Sequence, residues 1–582
     1  MPALDELASM FVNAIWSPWL FLLLLGCGLL FSILSKFVQF RILSHGFACI
    51  RGHYDKPGDT GHINHFQALC AALSATVGLG NIAGVAVAVS IGGPGAVFWM
   101  WVVGVFGMAL KFMECTLAVM YRDVRAGGEV RGGPMWYMQK ALVEPMRKRG
   151  NGLWVVFKVL AVLFAISTML NSFGGGNMFQ GWNVKNTLAS YFHVDKFVSA
   201  TVVSVLVAMV IIGGIKRIGQ VASKLVPFMC VLYVAGALYV ILGHAADIPY
   251  HLGTIFKSAF TPTAEAGGFI GATVWLAFQQ GLRRACFSNE AGEGSAAMAH
   301  AAARTEEPIR EGVVAGIGPF IDTIVICTMS ALVLLMSGAW NRPAVGTVVS
   351  VDGSTVVVRC EGEIPSKMEA LYFDRCQPPK EKETARKLTL RTVQTNAAGE
   401  AEAKKYDVAI SAWDRDESRE GWAGVRTVTL DLKDMKEKKP SDFEAISKYT
   451  VGQPVHLAMN GADLTAFAFD TSIKGFGKWI VTLGVCLFAF STMISWSYYG
   501  ETGAEYLFGP RAILPYKFVF VVFVFLGMVL DSFTTVYEFS DGTTGLMVLC
   551  NLPVLLILSP AVIRAAKDYF GRLDKGDMPR LR

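Results

Sequence analysis

The sequence predicts an all-α polytopic membrane protein of about eleven transmembrane helices. Two inverted sets of five helices follow one extra N-terminal helix, and a β-rich soluble domain is inserted in the second set. Three observations carry this prediction. The 582 residues are 53% hydrophobic and 17% charged, with a mean hydropathy of +0.44, whereas soluble chains carry about 25% charge. Apolar runs able to cross about 30 Å of hydrocarbon recur from Ile15 to Ile563 with one gap. Two of these runs are interrupted by glycine and polar residues at matching places.

The spans fall near 15–36, 66–90, 95–121, 153–176, 197–215, 222–243, 268–300, 311–337, 476–498, 516–533 and 540–563. The 268–300 span has a small and polar second half. No Lys or Arg precedes Trp16. A secretory signal has a basic start, so Trp16–Lys36 reads as a retained helix, although Leu24-Leu-Gly-Cys27 resembles a lipoprotein cleavage box. Lys and Arg concentrate in alternate loops: Lys36 to Lys56, Arg122 to Arg149, Lys216 to Lys224, Arg304 and Arg310, Arg511 and Lys517, and the tail from Arg564. The intervening loops hold Lys185, Lys196 and Lys257. By the positive-inside rule the N-terminus is outside and the C-terminus cytoplasmic. The chain is then a multi-pass protein of the cell (inner) membrane. The net charge of +6 belongs to these loops and points to no nucleic acid.

The one gap runs from Asn341 to about Asp470 and mixes both charge signs. Gly346–Arg359 reads as a hairpin turning at Asp352-Gly353, and Lys387–Val393 and Val425–Asp431 as further strands. This domain lies outside on the same topology. Cys360 and Cys376 either form a disulfide there or stay free thiols. The organisation is 1–64 for the extra helix and its inside loop, 65–244 for the first five-helix set, and 245–338 for the start of the second. The inserted domain spans 339–474, and 475–582 completes the second set and the tail.

Each set of five opens with a broken helix, Leu73–Asn81 and Arg283–Ala296. Because five is odd, the second set enters from the opposite side, which makes an inverted repeat. Matching broken helices point to a transporter binding site. A break in lipid frees backbone groups that each cost several kcal/mol unless something binds them. Freed N–H groups suit a carboxylate and freed carbonyls suit a cation or ammonium. An amino acid zwitterion has both ends. The alternative, that glycines only let helices approach closely, is preferred for Gly84 and Gly104.

The sequence resembles the alanine or glycine:cation symporter family, the sodium:alanine symporters, from about His65 to Gly338 and from Gly475 to Ala565. The resemblance rests on Gly78-Leu-Gly-Asn-Ile-Ala-Gly84, Gly92-Gly-Pro-Gly-Ala-Val-Phe-Trp-Met-Trp101 and Gly176-Asn-Met-Phe-Gln180. It also rests on Phe287-Ser-Asn-Glu-Ala-Gly292, Ala299-His-Ala-Ala-Ala303, Phe320-Ile-Asp-Thr-Ile324 and Ser491–Gly500. The inserted domain departs from the family. The resemblance implies the leucine-transporter-type fold and a small site. Backbone N–H groups of Gly78, Leu79 and Gly80 would take the substrate carboxylate, and carbonyls around Ala285–Ser288 the amine. Asn81 and Gln180 would add polar contacts, with Phe287, Ser288, Thr492 and Trp496 as walls. One sodium would sit among the carbonyls of Ser74, Val77 and Phe488 and the hydroxyls of Ser491 and Thr492. A second would use the Thr76 carbonyl and the Asn81 side chain. Ser491 and Thr492 could instead bond back to the preceding helical turn.

Ionisable residues inside spans are functional candidates. Lys111 and Glu114 are spaced for an internal ion pair, Asp322 reads as structural, and Glu290 as a clamp on the second break. Glu293 stands where the family pattern has an apolar residue. Arg283 and Arg284 read as an inside gate that pairs with carboxylates. Nothing points to an enzyme or a cofactor; sodium is the coupling ion. The reading is sodium-driven uptake of alanine or glycine by alternating access. Its rivals are proton coupling through Glu290 or Asp322, and an ion channel or sensor that uses the inserted domain, whose partner is unspecified.

Overall fold

A computed structural model of the chain describes residues 10–12, 14–56, 58–125, 129–263, 273–342, 344–352, 355–360, 387–395, 401–415, 425–432, 452, 454–457, 459, 461–530 and 534–578. Helix α1 (Pro18–Leu34) starts with Pro at its first position, where the missing N–H costs nothing. Left-handed Lys36 and Phe37 then turn the chain by 74° into α2 (Val38–Ile50). The cationic inside loop expected after the first span is thus partly helical, with Val38, Ile42 and Cys49 on its buried face.

Helix α3 (His65–Thr76) begins with a reciprocal capping box. The Asn64 side chain accepts from Gln67 N at 2.8 Å and Gln67 Oε1 accepts from Asn64 N at 3.1 Å. It stops at extended Val77. The chain resumes as a π-helical turn, Gly80–Gly84, and continues as α4 (Val85–Gly92), bent 49° from α3. Helix α5 (Gly95–Met120) leads into a two-stranded ribbon, β1 (Asp123–Val124) and β2 (Val130–Arg131).

Helix α6 (Trp154–Phe173) does not end near 176 as its hydropathy predicts. Gly174–Met178 forms a π-helical turn and the chain runs on as α7 (Phe179–Phe192), because three glycines widen the helix without ending it. Lys185, counted above among loop residues, lies within α7, and its Nζ donates to the Leu530 carbonyl at 3.0 Å. Helices α8 (Lys196–Ile211), α9 (Gly214–Gly243) and α10 (Ile248–Phe260) follow. The last of these was expected to be loop. It packs so closely on α5 that a Cβ at Gly95 would sit 2.2 Å from the Ser258 carbonyl oxygen.

The second broken helix is α11 (Val274–Asn289) followed by α12 (Ser295–Ala301). Then come α13 (Pro308–Pro319), a π-helical turn at Phe320–Cys327, and α14 (Thr328–Met336). Among the described residues, seven helical stretches are long and apolar enough to cross a membrane, and the bent pairs α1/α2 and α3/α4 raise this to nine. The other two of the eleven expected spans correspond to α8, of 16 residues, and to the α11/α12 pair, of 16 and 7.

Between Gly346 and Leu457 the chain forms a closed antiparallel barrel in the order β3 (Gly346–Asp352), β4 (Thr355–Arg359), β7 (Val425–Asp431), β6 (Ala401–Arg415), β5 (Lys387–Thr395), β8 (Pro454–Leu457). Val348, Val356, Val358, Val428, Leu430 and Val455 are buried in it. The feet of the barrel are adjacent: Val345 N donates to the Val455 carbonyl at 2.7 Å. Gly353 and Cys376 lie outside the described residues. The last barrel strand ends at Leu457, and a helix follows it within the range expected for the insert. Helix α15 (Ala462–Ser472) belongs to the helical body, with Leu464, Phe467 and Phe469 fully buried. Thr465 Oγ1 donates to the Ile82 carbonyl in the first π-helical turn at 3.1 Å. Helices α16 (Phe476–Phe508), α17 (Ile513–Val529) and α18 (Thr534–Asp574) complete the chain.

The segments flanking the two broken helices are tied together. Ile63 and Ala303 form a parallel β-bridge, with His62 N donating to the Ala302 carbonyl and Arg304 N to the Ile63 carbonyl, each at 2.8 Å. The Arg122 guanidinium donates to the carbonyls of Ala301 at 3.2 Å, Ala303 at 2.8 Å, Thr60 at 3.0 Å and Thr305 at 2.6 Å.

Candidate substrate and cation site

The two breaks meet. A Cβ at Gly80 would stand 3.3 Å from the Cα of Ser288, so the first break lies close against the end of the helix that leads into the second. Beside this crossing lies a cavity of about 420 Å³, open solvent at its mouth included. Of the residues expected at the site, Thr76, Gly78, Leu79, Gly80, Gln180, Phe287, Glu290, Thr492 and Trp496 line it. Ala75, Asn171, Gly175, Glu293 and Thr544 line it as well. Asn171 and Thr544 are single polar residues in apolar runs, a weak signal that pattern reading passed over. Their side chains join across the cavity rim, Asn171 Nδ2 donating to Thr544 Oγ1 at 2.9 Å.

The second break is later than the expected amine site. Helix α11 stays helical through Asn289, and the chain then turns on left-handed Glu290, Gly292 and Gly294. Ala285 therefore lies within the helix and its carbonyl is a poor candidate ligand. The last four helical carbonyls have no intrahelical partner. Glu290 N takes that of Cys286 at 2.9 Å, and of the residues that follow in the helix Phe287 lines the cavity. A left-handed Glu is strained, and Glu290 is held by its side chain. Oε2 accepts from Ser295 Oγ, and Oε1 accepts from Trp496 Nε1 at 3.1 Å. Trp496 in turn lies on Gly176, where a Cβ would stand 2.4 Å from its Cβ. Two buried acceptors on the cavity, Gln180 Oε1 and Glu293 Oε1, have no hydrogen-bond partner among the described residues. The Gln180 amide is oriented by donation to the Gly175 carbonyl at 2.9 Å.

Asn81, expected as a ligand of substrate and of a second sodium, is not among the residues that line the cavity. Its Oδ1 accepts from Gly78 N at 2.7 Å. Its Nδ2 lies 2.6 Å from Asp322 Oδ1 and 3.0 Å from Ser288 Oγ. Asp322 Oδ2 accepts from Ser288 Oγ and Thr323 Oγ1, each at 2.8 Å. Asn81 is thus a brace that spans both breaks through Asp322.

The other expected cation ligands do gather. Ser491 Oγ and Thr492 Oγ1 each lie 3.2 Å from the Ser74 carbonyl, and Ser491 Oγ lies 2.8 Å from the Phe488 carbonyl. Ser74 Oγ donates to the Ser491 carbonyl at 2.6 Å. The Ser491–Phe488 contact is the back-bond foreseen as an alternative, and the same hydroxyl faces the first broken helix. Val77, expected to add its carbonyl to this group, is fully buried.

Ion pairs stand on either side of the cavity. Arg283 pairs with Asp541, Nε lying 3.1 Å from Oδ2, and Trp16 near the N-terminus donates to the Asp541 carbonyl at 2.9 Å. Arg283 precedes the second break and shares a face of the protein with the N-terminus. Arg283, read from the sequence as a gate residue that pairs with a carboxylate, meets that of Asp541. Arg284 lies along the first π-helical turn, its Cδ 3.9 Å from where a Cβ of Gly84 would be. The opposite face carries Arg131 with Glu501 at 3.2 Å and Glu505 at 2.7 Å, Arg125 with Glu505, and Lys517 with Glu501 at 3.1 Å. These carboxylates near the end of α16 were not identified from sequence. Deeper, Lys111 and Glu114 are 3.6 Å apart, as their spacing predicts.

The sequence model of the sodium:alanine symporter family matches residues 1–359 and 445–582. The chain belongs to the sodium:alanine symporter family. It is similar to the sodium/alanine symporter AgcS of Methanococcus maripaludis, with 34% identity over 95% of this chain and 95% of that protein. It is also similar to an uncharacterized transporter of Haemophilus influenzae (33%, 98% and 97%) and to the putative sodium/proton-dependent alanine carrier protein YrbD of Bacillus subtilis (29%, 97% and 92%). Membership of the sodium:alanine symporter family makes this a multi-pass transport protein and not an enzyme. The family match reaches beyond the motif-bearing regions at both ends and omits residues 360–444, which hold β5, β6 and β7 of the barrel.

Proposed function

We propose that this family member is a sodium-coupled symporter that carries a small neutral amino acid, alanine or glycine, into the cell by alternating access. The observation that carries this reading is the convergence of two helix breaks on one small cavity, with backbone donors on one break and unpaired acceptors around the other. The N–H groups of Leu79 and Gly80 receive the substrate carboxylate, since Asn81 already holds that of Gly78. The carbonyls of Phe287 and Ser288 and the oxygens of Gln180 and Glu293 receive the ammonium, whose three N–H donors suit several acceptors at once. Trp496, Phe287 and Thr492 limit the side chain. Sodium travels among the oxygens of Ser74, Val77, Phe488, Ser491 and Thr492, a hard-oxygen set suited to a hard cation.

Alternation exchanges the Arg283–Asp541 pair on one face for the Arg125, Arg131 and Lys517 cluster on the other. The loop charges support an outside N-terminus, a cytoplasmic C-terminus and a barrel outside. Ion pairs on both faces argue against an open pore.

Proton coupling is the second reading, and Glu293 is the observation that favours it. Glu290 and Asp322 accept hydrogen bonds on both oxygens, whereas Glu293 keeps an unpaired one. Uptake of labelled alanine into proteoliposomes with and without a sodium gradient decides. Sodium-dependent, saturable uptake is expected. Full uptake driven by a pH gradient without sodium would overturn sodium coupling.

A further inference from the structure

A second buried polar cluster lies away from the cavity, at the start of α3. The His65 imidazole has a carboxylate on each side. Its Nδ1 meets Glu311 Oε2, and its Nε2 stands 3.4 Å from Asp55 Oδ1. His65 is 1% exposed and Glu311 fully buried. The second oxygen of Glu311 lies 2.5 Å from His300 Nδ1. His65 belongs to α3, Glu311 to α13 and Asp55 to the segment between α2 and α3, so three parts of the fold meet at the ring, and α12 joins through the contact of His300 with Glu311.

A neutral imidazole has one N–H and one lone pair. Whichever nitrogen carries the hydrogen, the other turns its lone pair toward a carboxylate. That arrangement is costly where water is scarce. The imidazolium donates from Nδ1 to Glu311 and brings its charge within 3.4 Å of Asp55 Oδ1, a contact that is electrostatic and not a hydrogen bond. The surrounding charges fit this form. Glu311 and Arg310 face the ring from α13 and Asp55 from the connecting segment, while Asp59 at 3.3 Å engages Arg310. Cys49 of α2 faces Arg310, Glu311 and Asp55, and Arg122 beyond α5 faces Glu311 and Asp59.

We propose that His65 is a proton-binding site, and that the bound proton latches the start of α3 onto α13 and the Asp55 segment. Helix α3 lines the cavity at its other end through Ala75 and Thr76. Its start is bridged to the end of α12 through Ile63 and Ala303. Loss of the proton leaves a lone pair against a carboxylate and releases the cavity-distal ends of both broken helices together. The site takes a proton and no larger ligand, and it stands whichever ion drives transport.

Two measurements on the full chain in lipid test this. Nitrogen NMR of protein labelled at histidine, with His65→Gln to assign the signal, should show His65 as imidazolium at neutral pH. Asp55→Asn, at a half-exposed position that tolerates change, should lower the proton affinity of that signal about tenfold, one pH unit. Hydrogen exchange of peptides covering 55–76, corrected for the intrinsic effect of pH, should quicken at least fivefold above the His65 midpoint in the wild type and be pH-independent in His65→Gln. A His65 signal that is neutral across the imidazole range, or exchange in 55–76 indifferent to its protonation, overturns the proposal. Should His65→Gln fail to fold, the wild-type and Asp55→Asn spectra and exchange decide alone.

Discussion

The indole Nε1 of Trp496 donates to Glu290 Oε1 at 3.1 Å, so one wall of the cavity is fastened to the second helix break. Trp496→Phe keeps the ring and removes the donor. A hydrogen bond to a charged group contributes about 1.5–3 kcal/mol. The variant should raise the KM for alanine roughly tenfold or more and lower the detergent melting midpoint. An unchanged KM would show that Glu290 holds its conformation without the indole.

Gly176→Ala and Gly80→Leu test two close approaches beside the cavity. A Cβ at Gly176 would overlap Trp496, and one at Gly80 would press on the Ser288 backbone at 3.3 Å. Both variants should reach the membrane in normal amount and lose at least about 99% of uptake, the scale of roughly 3 kcal/mol for overpacking. Surface labelling and uptake in the same vesicles separate insertion from transport.

Glu293→Gln keeps the shape and removes the charge of the unpaired cavity carboxylate. If Glu293 receives the ammonium, the KM for alanine rises about 10- to 100-fold while the sodium requirement is unchanged. A flattened pH profile at constant KM would transfer Glu293 to the proton-carrier role.

Ser491→Ala deletes the hydroxyl shared between the Ser74 and Phe488 carbonyls. The sodium concentration for half-maximal uptake should rise about tenfold, with alanine affinity recovering at saturating sodium. Titration of uptake against sodium at fixed alanine checks this.

Arg283→Ala leaves Asp541, 3% exposed, without its guanidinium. Arg283 is itself partly exposed, so a modest loss of about 1–2 kcal/mol is expected. Uptake should fall more steeply than binding, and Asp541→Asn in the same chain should restore part of the stability. Full uptake by Arg283→Ala would remove this pair from the gate.

Much of the architecture was legible because membrane burial imposes simple patterns. Apolar length marked most spans, glycine with Asn81 marked the first break, and alternation with turn residues marked β3, β4, β5 and β7. Boundaries failed where backbone geometry, not hydropathy, decides. The π-helical turn at Gly174–Met178 carries α6 into a polar continuation, and α15 looked like the end of a soluble domain because it is short. The cavity walls were largely readable from motifs. What the sequence did not disclose was pairing across distant segments. Nothing local to Asn81 says that Asp322 and Ser288 engage its amide, and nothing local to Glu501 or Glu505 announces Arg125 and Arg131. The His65–Glu311 contact joins residues 246 positions apart, beyond any periodicity.

The bond between Val345 N and the Val455 carbonyl gives the barrel the character of a cassette. Both strands enter and leave through one narrow doorway, so whatever lies past it can be lengthened, exchanged or cut to a short turn without redirecting the chain that follows. Grafting thus becomes a question of rejoining two neighbouring residues. The return helix α15, which reaches the first break through Thr465, must stay on the transporter side of the cut.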